Sequence, residues 1–260
     1  MTDSTPVSDP APAGPVTVSV AMATYNGASY VEEQLASILA ELGPCDEVVV
    51  VDDASTDDTV ERLARVEDPR VRLVRADVNQ GYVRAFEQAL GLARGEVVLL
   101  ADQDDVWVPG RVSVLTKALE SHQVVASNLA TLGGADGIPG PFGRNDWRLR
   151  SRDEARHVLN VLGIWAGLRP YYGCAMGVRR DALAMALPFP HYLDESHDLW
   201  LALYGNLAGS ISHVETRTVR RRIHDANATP VSPRGLLAVL RSRLLLLRAT
   251  LHLRSRLRRR

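Results

Sequence analysis

Three carboxylates, Asp102, Asp104 and Asp105, close the apolar run Leu99-Leu100-Ala101 and are followed by Val106-Trp107. So apolar a run belongs in a buried strand, and the acids it delivers then stand close together with little water between them. Like charges at that spacing raise one another's pKa unless something positive neutralises them, and a hard divalent cation, Mg²⁺ or Mn²⁺, is the usual remedy. A helix N-cap in a solvated acidic turn accounts for Asp105 alone but not for the whole group. A second apolar run, Val48 to Val51, ends in Asp52-Asp53. A carboxylate there is placed to accept from a base N–H or a ribose hydroxyl, while Ser55 or Asp57 caps the helix that follows.

Four segments occur in a telling order: Ala23-Thr24-Tyr25-Asn26-Gly27, Asp52-Asp53-Ala54-Ser55-Thr56-Asp57, Asn79-Gln80-Gly81 and Asp102-Gln103-Asp104-Asp105-Val106-Trp107. Together they resemble the signature of family 2 glycosyltransferases of the GT-A fold. The likeness continues through Tyr172-Gly173-Cys174-Ala175-Met176, His197-Asp198-Leu199-Trp200 and Arg222-Ile223-His224-Asp225-Ala226-Asn227. Its Asp-Gln-Asp-Asp-Val-Trp form and its Arg-x-His-x-x-Asn ending are most similar to rhamnosyltransferase-like enzymes of bacterial surface polysaccharide assembly.

The resemblance implies a role for each matching position. Thr24, Tyr25 and Asn26 would frame the nucleotide base, with Asp53 and Asp52 accepting from its ring N–H. Asn79 and Gly81 would border ribose and phosphates, with Arg84 on the diphosphate and Asp102 and Gln103 near the ribose. Asp104 would lie on the metal, and His224 would complete the metal or diphosphate site. Asp198 matches the catalytic acid position and would take the acceptor's proton, inverting the anomeric centre; Asp194, Glu195 and His197 are its neighbours and competitors, and capping of a helix is the alternative. Trp107, Tyr172, Gly173, Cys174, His197 and Trp200 are candidates for contact with sugar or acceptor, although aromatic and small residues beside strands also serve as core. The partners implied are a UDP- or dTDP-sugar donor and a glycan or lipid-linked acceptor. Cleavage of an anomeric carbon from a nucleoside diphosphate leaves charge on phosphate, so a bridging cation is independently expected.

The elements that must position these residues are legible as short β-branched runs alternating with helical spacings, an α/β layer arrangement. Strands are expected over 16–22, 47–51, 71–74 and 96–101, with helices over 28–40, 56–66 and 82–93. Right-handed crossovers would set the strands in one mostly parallel sheet, with the motif loops gathered along its C-terminal edge. Beyond Pro109 come a helix to about Ser121, a strand near 124–127, a Gly/Pro-rich loop or lid at 133–143, a strand at 173–178, a helix at 198–207 and a strand at 211–222.

The 260 residues carry a formal net charge of -1 and suffice for one large core. Residues 1–15 read as a disordered tail, 16–230 as the catalytic domain and 231–260 as a basic amphipathic helix. Leu236, Leu240, Leu244, Leu247 and Leu251 recur at helical intervals there, with Arg241, Arg248 and Arg254 between them and no acid in the segment. That pattern suits an anionic cytoplasmic leaflet, a helix packed on the domain, or an oligomer contact. No apolar run reaches the roughly 20 residues of a membrane span and no leader pattern opens the chain, so a cytoplasmic, peripheral location is expected. Cys45 and Cys174 lack metal or redox spacing and read as reduced core thiols. Nucleic-acid motifs are lacking. An aspartate-dependent phosphohydrolase and a nucleotide-sugar-binding protein without turnover are the competing functions; the former needs a lysine downstream, and Lys117 is the only one in the chain.

Overall fold

The computed structural model describes residues 15–134, 136–223 and 235–259. The expectations for the 1–15 tail (apart from residue 15), for His224 and for the 230/231 boundary lie outside these residues. Eight strands form one sheet: β1 Val18–Thr24, β2 Glu47–Asp52, β3 Val71–Arg75, β4 Val97–Asp102, β5 Val106–Trp107, β6 Val124–Thr131, β7 Met176–Arg179 and β8 Ile211–Arg221. Their order is β3-β2-β1-β4-β7-β6-β8-β5. The first four are parallel, as is the β6–β8 pair, while β7 runs antiparallel to both β4 and β6.

The continuous apolar runs are explained by burial on both faces. Val48 and Val50 of β2 pack with α1 (Val31–Leu39) and α4 (Arg111–Leu119) through Leu35, Ile38 and Leu115. Their alternates Val49 and Val51 join α3 (Tyr82–Leu92), α5 (His157–Ala166), α6 (Arg180–Ala186) and α7 (His197–Leu207) through Phe86, Ile164, Leu183 and Trp200. The smaller helix α2 (Thr59–Ala64) follows β2. Register then sets the site: Thr24 pairs with Asp52 and Ala23 with Asp102, so three strands end at one level.

Some elements differ from the pattern-based reading. α5 and α6 were not expected; the mostly apolar α5 is short, and α6 begins directly at the end of β7. The strand expected at 173–178 opens instead as a tight turn, Gly173–Ala175, before β7. That turn aims the Cys174 carbonyl at Arg111, whose buried guanidinium also donates to Leu100 O and Thr218 Oγ1. One side chain thereby ties β4, β8 and the turn together, which local propensity does not report.

The last helix, α8 (Leu236–Arg258), docks on α5 and α7, but through a face other than the leucine stripe. Ser242, Leu246, Ala249, Thr250 and Leu253 are buried, whereas Leu240, Leu244 and Leu251 are 57%, 58% and 58% exposed. Among the described residues no helix is long and apolar enough to cross a membrane. Truncating Leu246 to Ala should cost about 2–5 kcal/mol in urea unfolding, against less than about 0.5 kcal/mol for Leu244→Ala. Equal costs would show that α8 does not dock through this face.

Candidate active site

Loops after β1, β2 and β4 converge at the sheet edge and are tied together by the residues the motifs supply. Asp52 is fully buried, and its carboxylate accepts from Thr24 Oγ1 (3.0 Å), Ser55 N (2.9 Å) and Ser55 Oγ (2.5 Å). Asp53 accepts from the backbone N–H groups of Gln80 and Gly81, each at 2.8 Å, and so shapes the 79–81 loop. Asn26, held at φ 48°, accepts from Thr56 N at 2.9 Å, and its own N–H donates to Ser55 Oγ. Gln103 clamps Tyr25 twice, accepting from its N–H (2.8 Å) and donating to its carbonyl (3.0 Å). Gly27 leaves room for that clamp, since a Cβ there would lie 2.2 Å from Gln103 Oε1 and push the Gln103 side chain aside.

The residues expected on the nucleotide therefore divide. Thr24, Asn26, Asp52, Asp53 and Gln103 spend their side chains on the crevice wall, while Tyr25, 46% exposed, and the exposed Asn79 remain accessible beside Gly81. Arg84 requires a correction. Its guanidinium pairs with Glu87 and donates to the carbonyls of Phe189 (3.2 Å), Pro190 (2.8 Å) and Leu193 (3.0 Å), so it braces the loop before α7 rather than meeting a diphosphate.

At the end of β4, donor atoms of Asp102, Asp105 and Cys174 lie within 4.8 Å of one another. Burial, together with the charges of Asp105 and Asp104, raises Asp102 well above the usual carboxylate range, and burial beside Asp104 pushes Asp105 up to about 6. The buried Cys174 thiol is pushed up as well and stays neutral. Asp105 Oδ1 accepts from Arg222 N at 3.1 Å, and the Cys174 thiol is directed at the same carboxyl, whose Oδ2 is buried with no hydrogen bond of normal geometry among the described residues. Two buried carboxylates held above their ordinary range, one with an oxygen that lacks a hydrogen bond of normal geometry, fit a hard divalent cation. Asp104 is not a member of this cluster, contrary to expectation; the backbone of its turn is held by Arg222 Nε on the Asp104 carbonyl at 3.1 Å.

Two arginines unassigned by the motifs supply the countercharge. Arg111 lies behind the acids against the Trp107 ring at 4.5 Å; burial lowers its pKa to about 10, so it stays charged at neutral pH. Arg221, at the end of β8, sits 5.5 Å from the Tyr172 ring and faces Asp102, Asp105 and Asp198 electrostatically. The three consecutive arginines 220–222, the last of which opens the Arg-x-His-x-x-Asn segment, were the available signal for it.

Asp198 opens α7 on the same crevice, partly accessible, with Oδ1 accepting from its neighbour Leu199 N at 2.7 Å. Burial of the carboxyl raises its pKa to about 6 against the stabilising backbone N–H groups of Leu199 and Gly173 and the Arg221 charge. Gly173 permits this approach, because a Cβ there would stand 2.9 Å from His197 Nε2 and 3.5 Å from Asp198 Cβ. His197 stacks on Phe86 at 4.3 Å, and burial drives its pKa down to about 3; it is neutral and packed, not a sugar contact. Trp200 and Trp107 are likewise corrected. Both are enclosed in the core, Trp200 donating to Ala186 O, so neither offers a free ring face. Of the expected acceptor contacts, Gly173 and Cys174 are buried in the crevice wall and floor, and Tyr172 remains partly accessible.

Residues 19–184 match the family model described as Glycosyl transferase family 2, and the chain belongs to that family. Among relatives, the succinoglycan biosynthesis protein ExoO of Rhizobium meliloti is 37% identical over 114 residues, 43% of this chain and 33% of that protein. Staphylococcus aureus TarS 1-349 in complex with UDP-GlcNAc has the same fold, with TM-score 0.67 and 22% identity over 89% of this chain and 66% of that one. So has glucosyl-3-phosphoglycerate synthase from Mycobacterium tuberculosis in complex with Mn²⁺, UDP and glucosyl-3-phosphoglycerate, with TM-score 0.59 and 24% identity over 93% and 82%. The chain spans between 33% and 66% of the length of the first curated relatives it matches.

The carboxylates must be ionised to hold a cation, so binding should be linked to pH. Mn²⁺ is expected to raise the unfolding temperature at pH 7.5 and to do so far less at pH 5, below the raised value of about 6 for Asp105. A cation effect as large at pH 5, or equally large in Asp105→Asn, would place the ion elsewhere.

Proposed function

We propose that this chain transfers a sugar, rhamnose or a related hexose, from a UDP- or dTDP-sugar to a glycan or lipid-linked acceptor in bacterial cell-surface polysaccharide synthesis. The observation that carries the reading is Asp198 standing in one crevice with the Asp102–Asp105 cluster. A carboxylate whose pKa is about 6 is ionised at neutral pH yet basic enough to take a hydroxyl proton. Attack from its side of the sugar, opposite the leaving diphosphate, inverts the anomeric centre. Asp102 and Asp105 would hold the divalent ion, Mg²⁺ or Mn²⁺, which when bound neutralises charge on the leaving phosphates. Arg221 adds a fixed positive charge at the same place, and Tyr25, Asn79 and Gly81 are left to meet the nucleoside. The TarS and synthase structures, which hold UDP-GlcNAc or UDP with Mn²⁺, support the donor and the cation. The name of ExoO supports the pathway class.

The exposed leucines of α8 support a peripheral place on the inner face of the plasma membrane. Their flanking arginines suit anionic headgroups, at about 1 kcal/mol per basic residue. They disfavour pairing of two α8 helices, since no acid in 231–260 could face them.

In a donor panel with Mg²⁺ or Mn²⁺, Asp198→Asn should retain donor affinity and lose transfer by about 10²–10⁴-fold. Transfer at the parental rate would remove Asp198 from the base role. In the parent, kcat/KM should rise with pH to a plateau through a limb near pH 6, because a proton on Asp198 blocks its acceptance of another. A flat profile down to pH 5 would contradict that assignment. Leu240→Glu with Leu244→Glu, both at exposed positions, should abolish flotation with anionic vesicles without lowering the unfolding temperature; unchanged flotation would discard the α8 anchor.

A further inference from the structure

Between β6 and α5 the chain folds back through residues 144–156 and borders an open surface cavity of about 610 Å³, with Arg144, Arg152 and Arg156 exposed. Six arginines line it: Arg144, Arg148, Arg150, Arg152, Arg156 and Arg169. Only two acids, Asp146 and Asp153, stand among them, and each is shared. Asp146 meets Arg148 (3.2 Å) and Arg217 (3.0 Å), and Asp153 meets Arg156 (3.2 Å) and Arg169 (3.4 Å). No carboxylate lies within ion-pair distance of Arg144, Arg150 or Arg152 among the described residues. The indole N–H of Trp147, another lining residue, is a buried donor with no hydrogen-bond acceptor among the described residues.

Glu215 also faces Arg148 and Arg150, yet six lining guanidinium groups against three carboxylates, in a chain whose net charge is -1, remain a concentration of like charge. An anion would relieve it, and the guanidinium fork matches phosphate oxygens bidentately. A single carboxylate would neutralise only part of the surplus, whereas a diphosphate brings two or more charges. Two features connect the cavity with acceptor chemistry. Trp147 meets the Tyr172 ring edge-on at 6.5 Å, and Tyr172 carries Arg221 above it, so this wall adjoins the acidic crevice. Arg156 also leads directly into α5, which exposes Val158 (72%), Leu159 (54%) and Leu162 (48%), apolar surface suited to a lipid tail.

We propose that this arginine-lined cavity holds the diphosphate of a lipid-carried acceptor, whose sugar hydroxyl then reaches the crevice past Tyr172. The proposal rests on the transferase reading and names its acceptor class. Its test uses the full chain, with inorganic pyrophosphate, farnesyl diphosphate and UDP plus Mn²⁺ as probes in calorimetry, and with vesicles of pure phosphatidylglycerol. Both pyrophosphate and farnesyl diphosphate should bind, the latter more tightly. Arg150→Gln with Arg152→Gln should weaken both by at least about tenfold, raised salt should do likewise, and the affinity for UDP should be unchanged. Absence of binding, indifference to the substitutions, or displacement of the probes by UDP would overturn the assignment. So would loss of vesicle binding by the double variant, which would give the cavity to bulk lipid headgroups. Failure of UDP and Mn²⁺ to bind while the diphosphate probes do would fault the transferase reading instead.

Discussion

The structure depends on keeping several negative charges together where water is scarce. Asp102 and Asp105 end a strand buried on both faces, and neither can move away without disturbing the sheet. Burial raises both above the ordinary carboxylate range, helped by repulsion from Asp104 and, for Asp102, from Asp105. Arg111 answers from behind, locked by three acceptors on three separate elements, and Arg221 answers from the open side. What remains uncompensated is the charge that a cation with its diphosphate would balance. Such a ligand would relieve an arrangement that is otherwise unfavourable.

Much of the polar chemistry near the crevice builds the crevice itself. Asp52, Asp53, Asn26 and Gln103 lie in motif segments, yet each closes hydrogen bonds to a neighbouring loop. Such closure leaves few buried backbone groups unsatisfied and fixes where the accessible Tyr25 and Asn79 stand. The segment before Asp198 is held likewise from two sides. Arg84 of α3 donates to three of its carbonyls, and Arg256 of α8 donates to Met185, Ala186 and Pro188. The position of Asp198 is therefore set by helices distant from it in sequence.

The same economy governs α8. Its buried face, Leu246, Ala249 and Leu253, completes the core beside α5 and α7, and its leucine stripe faces outward. A helix that packs on one side and presents an apolar stripe on the other can serve stability and attachment together. The arginine-lined cavity stands beside the exposed residues of the neighbouring α5.

The parallel strands, their helices and the motif loops were legible in the residues because each rests on short-range periodicity and on a requirement local to the chain. A doubly buried strand must be apolar throughout, and acids after it must lie at its end. Asp198 was legible for the same reason, as an acid opening a helix. Not legible was which motif side chains would stay free, since Asp52 and Asp53 look alike until Thr24, Ser55 and the 79–81 loop are brought to them. The role of Arg84, the membership of Asp105 rather than Asp104 in the cluster, and the countercharges Arg111 and Arg221 were equally hidden. So was the outward turn of the α8 leucines, because a helix with apolar residues on more than one face does not say which face the core will cover. Contacts between residues a hundred positions apart decide these matters, and only packing of the complete chain brings such partners within reach.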